Sequence, residues 1–324
     1  MARYASATIF SGGPAVATPT AQLVVQLLLI LVMCSMVERI GRPLRQPAVV
    51  AEKVAGILLG PSVLGLIPEF SNSIFPVSSY PALKAVADLG LILFLFLAGA
   101  THDLPSLRLH ARRSIILSLA GIIGAASLGG GAALGIYRQL EAPLPDVRVF
   151  LLFACTALAA TAMSVLARVL AEARLLGTVV GAAALHASAV DDSLVIAVLC
   201  VDVAVSRANG YADAGWALLC TAAFAAALAF IAHPLAARAA SRWIARSKLT
   251  TNAAVGGTIP HIPHAVLAIV LGSAFFSAWF TEMIGAHAAV GAFLAGLATP
   301  RVGGIAGAAA IRVELLTTQL LMPV

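Results

Sequence analysis

Two adjacent carboxylates, Asp191 and Asp192, lie in Ala183-Ala184-Leu185-His186-Ala187-Ser188-Ala189-Val190-Asp191-Asp192-Ser193-Leu194-Val195-Ile196, the middle of an apolar stretch long enough to cross a bilayer. A charged residue at the centre of a membrane helix costs about 3 kcal/mol, so the pair costs roughly 6 kcal/mol unless it is protonated, paired or facing a watery cavity. The chemistry this suggests is reversible binding of an ion or a proton. Close like charges resist joint ionisation, so proton and cation compete for such a site. Neighbouring residues on a helix point about 100° apart, which predicts different roles: one carboxylate takes the ion while the other pairs with a basic group.

Hydroxyl groups supply the other candidate ligands. Thr156, Thr161 and Ser164 lie in the preceding apolar run, Thr156-Ala157-Leu158-Ala159-Ala160-Thr161-Ala162-Met163-Ser164. Their oxygens suit a hard monovalent cation, and they equally suit back-bonding to helix carbonyls or bonds between helices. Thr161 and Asp192 fall near the middle of consecutive antiparallel runs and so share a depth, which makes a carboxylate-hydroxyl cation cage the expected arrangement. Thr156, Ser164 and Ser188 are secondary candidates. His186 precedes Asp191 by five residues and lies off its face, so a packing role is expected. Glu282 and His287 flank a turn, and His261 and His264 form only an HxxH spacing, too little for a metal centre. Cys34, Cys155, Cys200 and Cys220 all sit in apolar runs without CxxC spacing and read as small packing residues.

The elements that must hold these residues are membrane helices. Of 324 residues, 61% are hydrophobic and 10% charged, and the mean hydropathy is +1.00, far from the soluble norm of roughly 25% charged. Apolar runs over 21–38, 48–66, 84–102, 113–137, 147–170, 176–203, 213–237, 262–281 and 285–300 have about spanning length, and a further one begins near Arg312. Most Lys and Arg fall in alternate connections: Arg39 to Lys53, Arg108 to Arg113, Arg168 and Arg174, Arg238 to Lys248, and Arg301 with Arg312. Basic loops stay inside, so residues 1–20 form an extracytoplasmic segment and the first helix runs inward. A net charge of +6 distributed in this way orients a membrane protein and gives no reason to expect nucleic acid. The glycines serve close helix packing, with no phosphate-loop context, and no cofactor is indicated.

Several segments together resemble a family. Ala55-Gly56-Ile57-Leu58-Leu59-Gly60-Pro61-Ser62-Val63-Leu64-Gly65, Phe94-Leu95-Phe96-Leu97-Ala98-Gly99, Thr161 to Arg168, Ala189-Val190-Asp191-Asp192 and Gly291-Ala292-Phe293-Leu294-Ala295-Gly296-Leu297 look like the monovalent cation:proton antiporters of the Kef/NapA-like sodium/hydrogen exchanger type, in the family's order. The resemblance implies an all-α polytopic protein with an inverted-repeat fold, a dimerisation domain and a mobile core working by alternating access. It assigns 21–102 to dimerisation-type helices, 113–203 to the first core repeat, 213–237 to a linker helix, and 262–324 to two more dimer-domain helices and the start of another. By the same likeness Asp192 carries the ion and proton, Asp191 is its partner, and Thr161 lies where the fifth helix unwinds. Thr101 and Ser164 stand where relatives often have an acid and a proline, so the inner funnel and helix break are expected to differ.

The implied function is exchange of Na+ or K+ for protons by a homodimer in the plasma membrane, a secondary transporter and not an enzyme. A gated cation channel and an inactive truncated subunit are the alternatives, while an intramembrane aspartyl protease needs its acids on two facing helices. The resemblance also places the second core repeat, with a Lys that pairs with the first Asp, beyond Val324. The 324 residues alone are therefore expected to give no cation-driven proton flux in proteoliposomes, and flux above that of empty liposomes would refute the expectation.

Overall fold

In hydrocarbon a backbone amide has no water to bond, so a chain this apolar closes its hydrogen bonds within helices. The computed structural model describes residues 18–44, 46, 48–67, 69–101, 111–140, 146–160, 166, 169–170, 175, 178–207, 211–246, 263–317 and 321, and it contains no strand among them. Six helical stretches among the described residues are long and apolar enough to cross a membrane: Pro19–Gly41, Phe70–Thr101, Arg112–Tyr137, Val179–Val203, Gly215–Trp243 and His264–Ile284. The protein is an all-α multi-pass membrane protein. It divides into two compact units, Met1–Phe94 with Glu314–Val324, and Leu95–Val313.

In the first unit, α1 (Pro19–Gly41) starts at Thr18, whose hydroxyl accepts from the Ala21 amide at 3.2 Å. Pro19 occupies the first turn, where its missing N–H removes no helix bond. Gln26, Ile30 and Cys34 form a buried stripe at four-residue spacing, while Leu28, Val32, Met36 and Ile40 on the other side are exposed, as a lipid-facing surface requires. The stripe packs on Ala55 and Leu59 of α2 (Ala48–Leu59). Gln26 is fully buried, and its amide donates to the Ile74 carbonyl at 2.6 Å and to Ser79 Oγ at 2.7 Å. One polar side chain thereby ties α1 to the end of α3 (Phe70–Ile74) and the turn after it. The apolar run to residue 66 does not stay helical throughout, because Gly60 and Pro61 stop α2, and the Gly60 carbonyl accepts the Gly65 amide at 3.0 Å.

α4 (Tyr80–Thr101) passes from the first unit into the second. It begins earlier than the apolar run at 84 because Pro81 is tolerated in a first turn. The second unit holds α5 (Ala111–Tyr137), α6 (Val147–Ala159), α7 (Val179–Arg207), α8 (Tyr211–Ala227), α9 (His233–Arg246), α10 (His264–Ile284), α11 (Ala288–Ala298) and most of α12 (Ile305–Leu316). α8 was expected to end near 237, but the helix continues into α9 through a π-helical turn, Leu228–Ala232, in which the His233 amide bonds the Leu228 carbonyl. Pro234 explains the wider turn: it donates no hydrogen bond and crowds the carbonyl one turn back, and the π turn absorbs both defects without breaking the rod.

Two glycine contacts set the packing of α11. Gly99 on α4 and Gly296 on α11 each end the same tetrapeptide, Phe-Leu-Ala-Gly. A Cβ on Gly99 would collide with the Phe293 carbonyl oxygen and lie 2.9 Å from the Leu297 nitrogen; a Cβ on Gly296 would collide with the Phe96 carbonyl oxygen and lie 2.8 Å from the Ala100 nitrogen. The offsets match on both sides, so the crossing is reciprocal about a local two-fold, with Phe96 and Phe293 buried beside it. On another face of α11, Gly291 leaves room for the Ser277 carbonyl and Thr281 hydroxyl of α10. The α10–α11 turn is closed by Gly285 at φ 98°, by the Glu282 carboxylate accepting from the Ala288 amide at 2.9 Å, and by His287 Nδ1 accepting from the Ala289 amide at 3.2 Å. Glu282 and His287 thus cap a helix.

Gly296→Val places its side chain against backbone and is expected to destabilise by about 2–3 kcal/mol. Gly124→Ala on α5, where no neighbouring atom lies within 4 Å, is the expected neutral control. Thermal unfolding in detergent checks both.

Candidate ion-binding site

α7 positions the acids, and α5, α6, α8 and α11 pack against it. Its sequence, Val179 to Arg207, contains no Lys or Arg before the last residue. On its α5 side the Ser118 hydroxyl donates to Asp191 Oδ1. Ser118 is almost wholly buried, and Ser114, one turn earlier on α5, is buried too. A hydroxyl donor is suited to a membrane carboxylate because it stabilises charge without bringing a second one. Asp192, about 100° round the helix, begins a different row: Ile196 and Cys200, one and two turns on, pack with Ala286, Val290, Leu218 and Leu294. The adjacent acids therefore serve different helix faces. Ser188, one turn before them, is 3% exposed, and its Oγ has no hydrogen-bond partner among the described residues.

α6 approaches α5 at Gly129 and Gly130, where Leu158 and Cys155 fill the space a side chain would take; Cys155 Sγ donates to the Ala126 carbonyl at 3.5 Å. α6 then ends sooner than the apolar run to 170 suggested. Its last helical residue is Ala159, and Ala160 is extended at φ −64°, ψ 123°. Thr161 and Ser164 lie outside the described residues, as does His261. Thr156 is buried, and its hydroxyl donates to the Leu152 carbonyl at 2.9 Å, the back-bonding alternative for this residue. No group of three or more His, Cys, Asp or Glu side chains that could hold a metal occurs among the described residues.

One acid escaped the sequence reading. Asp202 on α7 is 0% exposed, and neither of its carboxylate oxygens has a hydrogen-bond partner among the described residues. The Thr156 hydroxyl stands beside it. Its spacing from Asp191 carried a signal: eleven residues at 100° each return to within about 20° of the same face.

Two acids thus stand midway along a membrane-spanning helix, beside a helix that stops short. The transmembrane profile described as "Sodium/hydrogen exchanger, transmembrane" matches residues 27–314. The chain belongs to the sodium/hydrogen exchanger family. Among curated relatives of this chain, cation/H(+) antiporter 18 of Arabidopsis thaliana is 36% identical over 301 residues, covering 93% of this chain and 35% of that protein. K(+)/H(+) antiporter 1 of Saccharomyces cerevisiae is 30% identical over 290 residues, 88% of this chain and 32% of its own length. Na(+)/H(+) antiporter NhaS4 of Synechocystis sp. is 28% identical over 282 residues, 86% of this chain and 66% of its own. The chain spans about a third of the length of the plant and yeast relatives it matches. The family is one of transporters.

Ser118→Ala and Asp191→Asn, singly and together, form a double-mutant cycle on the bond between α5 and α7. A coupling of about 1.5–3 kcal/mol is expected for a hydrogen bond to a charged group. Unfolding in detergent measures it, and additive effects would show that the bond contributes nothing.

Proposed function

We propose that this protein exchanges a monovalent cation, Na+ or K+, for protons across the membrane, and that Asp192 is the carboxylate on which the two alternate. The observation that carries this reading is the Asp191–Asp192 pair midway along α7, with a hydroxyl donor already assigned to Asp191. Ser118 holds Asp191 toward α5, which leaves Asp192 to a second face and a second task. The end of α6 at Ala160 adds support, since a helix that stops inside the membrane frees carbonyl oxygens for a cation. Thr161 follows that stop directly and is the hydroxyl proposed to join the cage; Ser188 lies one turn from both acids and adds an oxygen.

The relatives are named as cation/H(+), K(+)/H(+) and Na(+)/H(+) antiporters, which supports the substrate class without choosing the cation. Exchange follows from competition: the carboxylate facing one side releases its proton when a cation arrives, and the core carries either occupant, but not the bare charge, to the other side. The desolvation cost of an empty ionised Asp192 is what prevents a leak. In this reading the protein is a homodimer in the plasma membrane with its amino terminus outside, supported by the alternation of Lys and Arg among the connections.

The full-length gene product reconstituted in proteoliposomes tests the proposal by cation-driven proton flux. Asp192→Asn is expected to reduce flux to that of empty liposomes, whereas Asp191→Asn is expected to retain flux with altered coupling or pH profile. Flux that survives Asp192→Asn, or cation current without proton movement, overturns the reading.

A further inference from the structure

Burying an ionised carboxylate costs several kcal/mol even after relaxation, and buried polar groups in native proteins overwhelmingly have partners. Asp202 departs from both rules at once, being fully buried with both oxygens unpartnered among the described residues. Thr156 stands beside it, its hydroxyl donating to the Leu152 carbonyl at 2.9 Å. Among the described side chains the neighbouring helices bring no countercharge: Arg148 on α6 is eight residues, about 12 Å of helix, from Thr156, and Arg112 and Arg113 lie in the first turn of α5. α11 and the described side chains of α8 carry no charge. At the nearby α10–α11 turn, Glu282 and His287 are engaged in capping.

We propose that Asp202 and Thr156 form a second site for a monovalent cation, about three helical turns along α7 from Asp191. The proposal rests on the exchange reading and extends it. Carboxylate and hydroxyl oxygens are hard ligands that suit Na+ or K+. Without the cation, the Asp202 carboxyl holds a proton; when the cation enters, the O–H bond breaks, its electron pair stays on the carboxylate oxygen, the proton leaves to water and the charge is unchanged. Asp202 and Asp191 share one face of α7 within about 20°, with Ser188 beyond, so the row gives a cation a first stop between the Arg207 end of the helix and the central acids.

The test is infrared difference spectroscopy of the purified full-length gene product on adding Na+ or K+, with proton release read by an indicator dye. The unmodified protein is expected to show two carboxyl components that lose their protons to the cation. Asp202→Asn removes one and leaves the other; Asp192→Asn does the reverse. Thr156→Val, which keeps the carboxylate, weakens cation affinity of the Asp202 component by about tenfold or more. A spectrum unchanged by Asp202→Asn, an Asp202 band indifferent to the cation as in a permanently protonated structural acid, or loss of both components in Asp192→Asn overturns this proposal while exchange stands. No cation-linked release in any form of the protein overturns both.

Discussion

Everything in the second unit answers to one constraint, the cost of keeping carboxylates in a helix that crosses hydrocarbon. The protein meets it by surrounding α7 on several sides, so that α5 supplies Ser118 to Asp191, α6 sets Thr156 beside Asp202, and α8 and α11 cover the apolar row at Ile196 and Cys200. That enclosure needs helices to lie closer than large side chains allow. Gly129 and Gly130 bring α6 onto α5, Gly291 brings α11 onto α10, and Gly99 with Gly296 lock α11 to α4. Close packing of small residues is the usual adhesive between membrane helices, and here it also determines which polar atoms can reach the acids.

Polar side chains inside the helices are few, and several have a definite task. Gln26 fastens a connection to α1, Thr281 sits at the α10–α11 turn with its one hydroxyl proton in reach of the Ser277, Ala278 and His287 carbonyls, and Thr221 bonds back to Ala217. Among the described residues, the buried oxygens left without a hydrogen-bond partner are Ser188 Oγ, the two of Asp202 and Gln26 Oε1.

Much of the fold was legible because spanning length and apolar composition leave few choices: α1, α4, α5, α7 and α10 lie within a few residues of the runs read from sequence. The discrepancies have local causes. Gly60-Pro61 announces the end of α2, but nothing in Leu158-Ala159-Ala160-Thr161 punctuates the end of α6, since alanine is the strongest helix former and reads as a helix that runs on. Pro234 announces a helix end that does not occur, because a π turn takes up the strain. Within the site, the placing of Asp191 and Asp192 on different helix faces followed from helical geometry alone, whereas the donor to Asp191 required knowing that α5 lies alongside. Asp202 was hidden by its company: in Leu199-Cys200-Val201-Asp202-Val203, one acid near a helix end looks like an interfacial residue until its burial is seen.

The reciprocal crossing of α4 and α11 has a consequence for how the sequence can drift. Because Gly99 touches the backbone three residues before Gly296 and Gly296 touches the backbone three residues before Gly99, neither position can be enlarged in exchange for shrinking the other; both are already at the minimum. Compensation, the ordinary route by which packed pairs wander, is closed. The two copies of Phe-Leu-Ala-Gly are thus held in step by geometry, each acting as the gauge against which the other is cut.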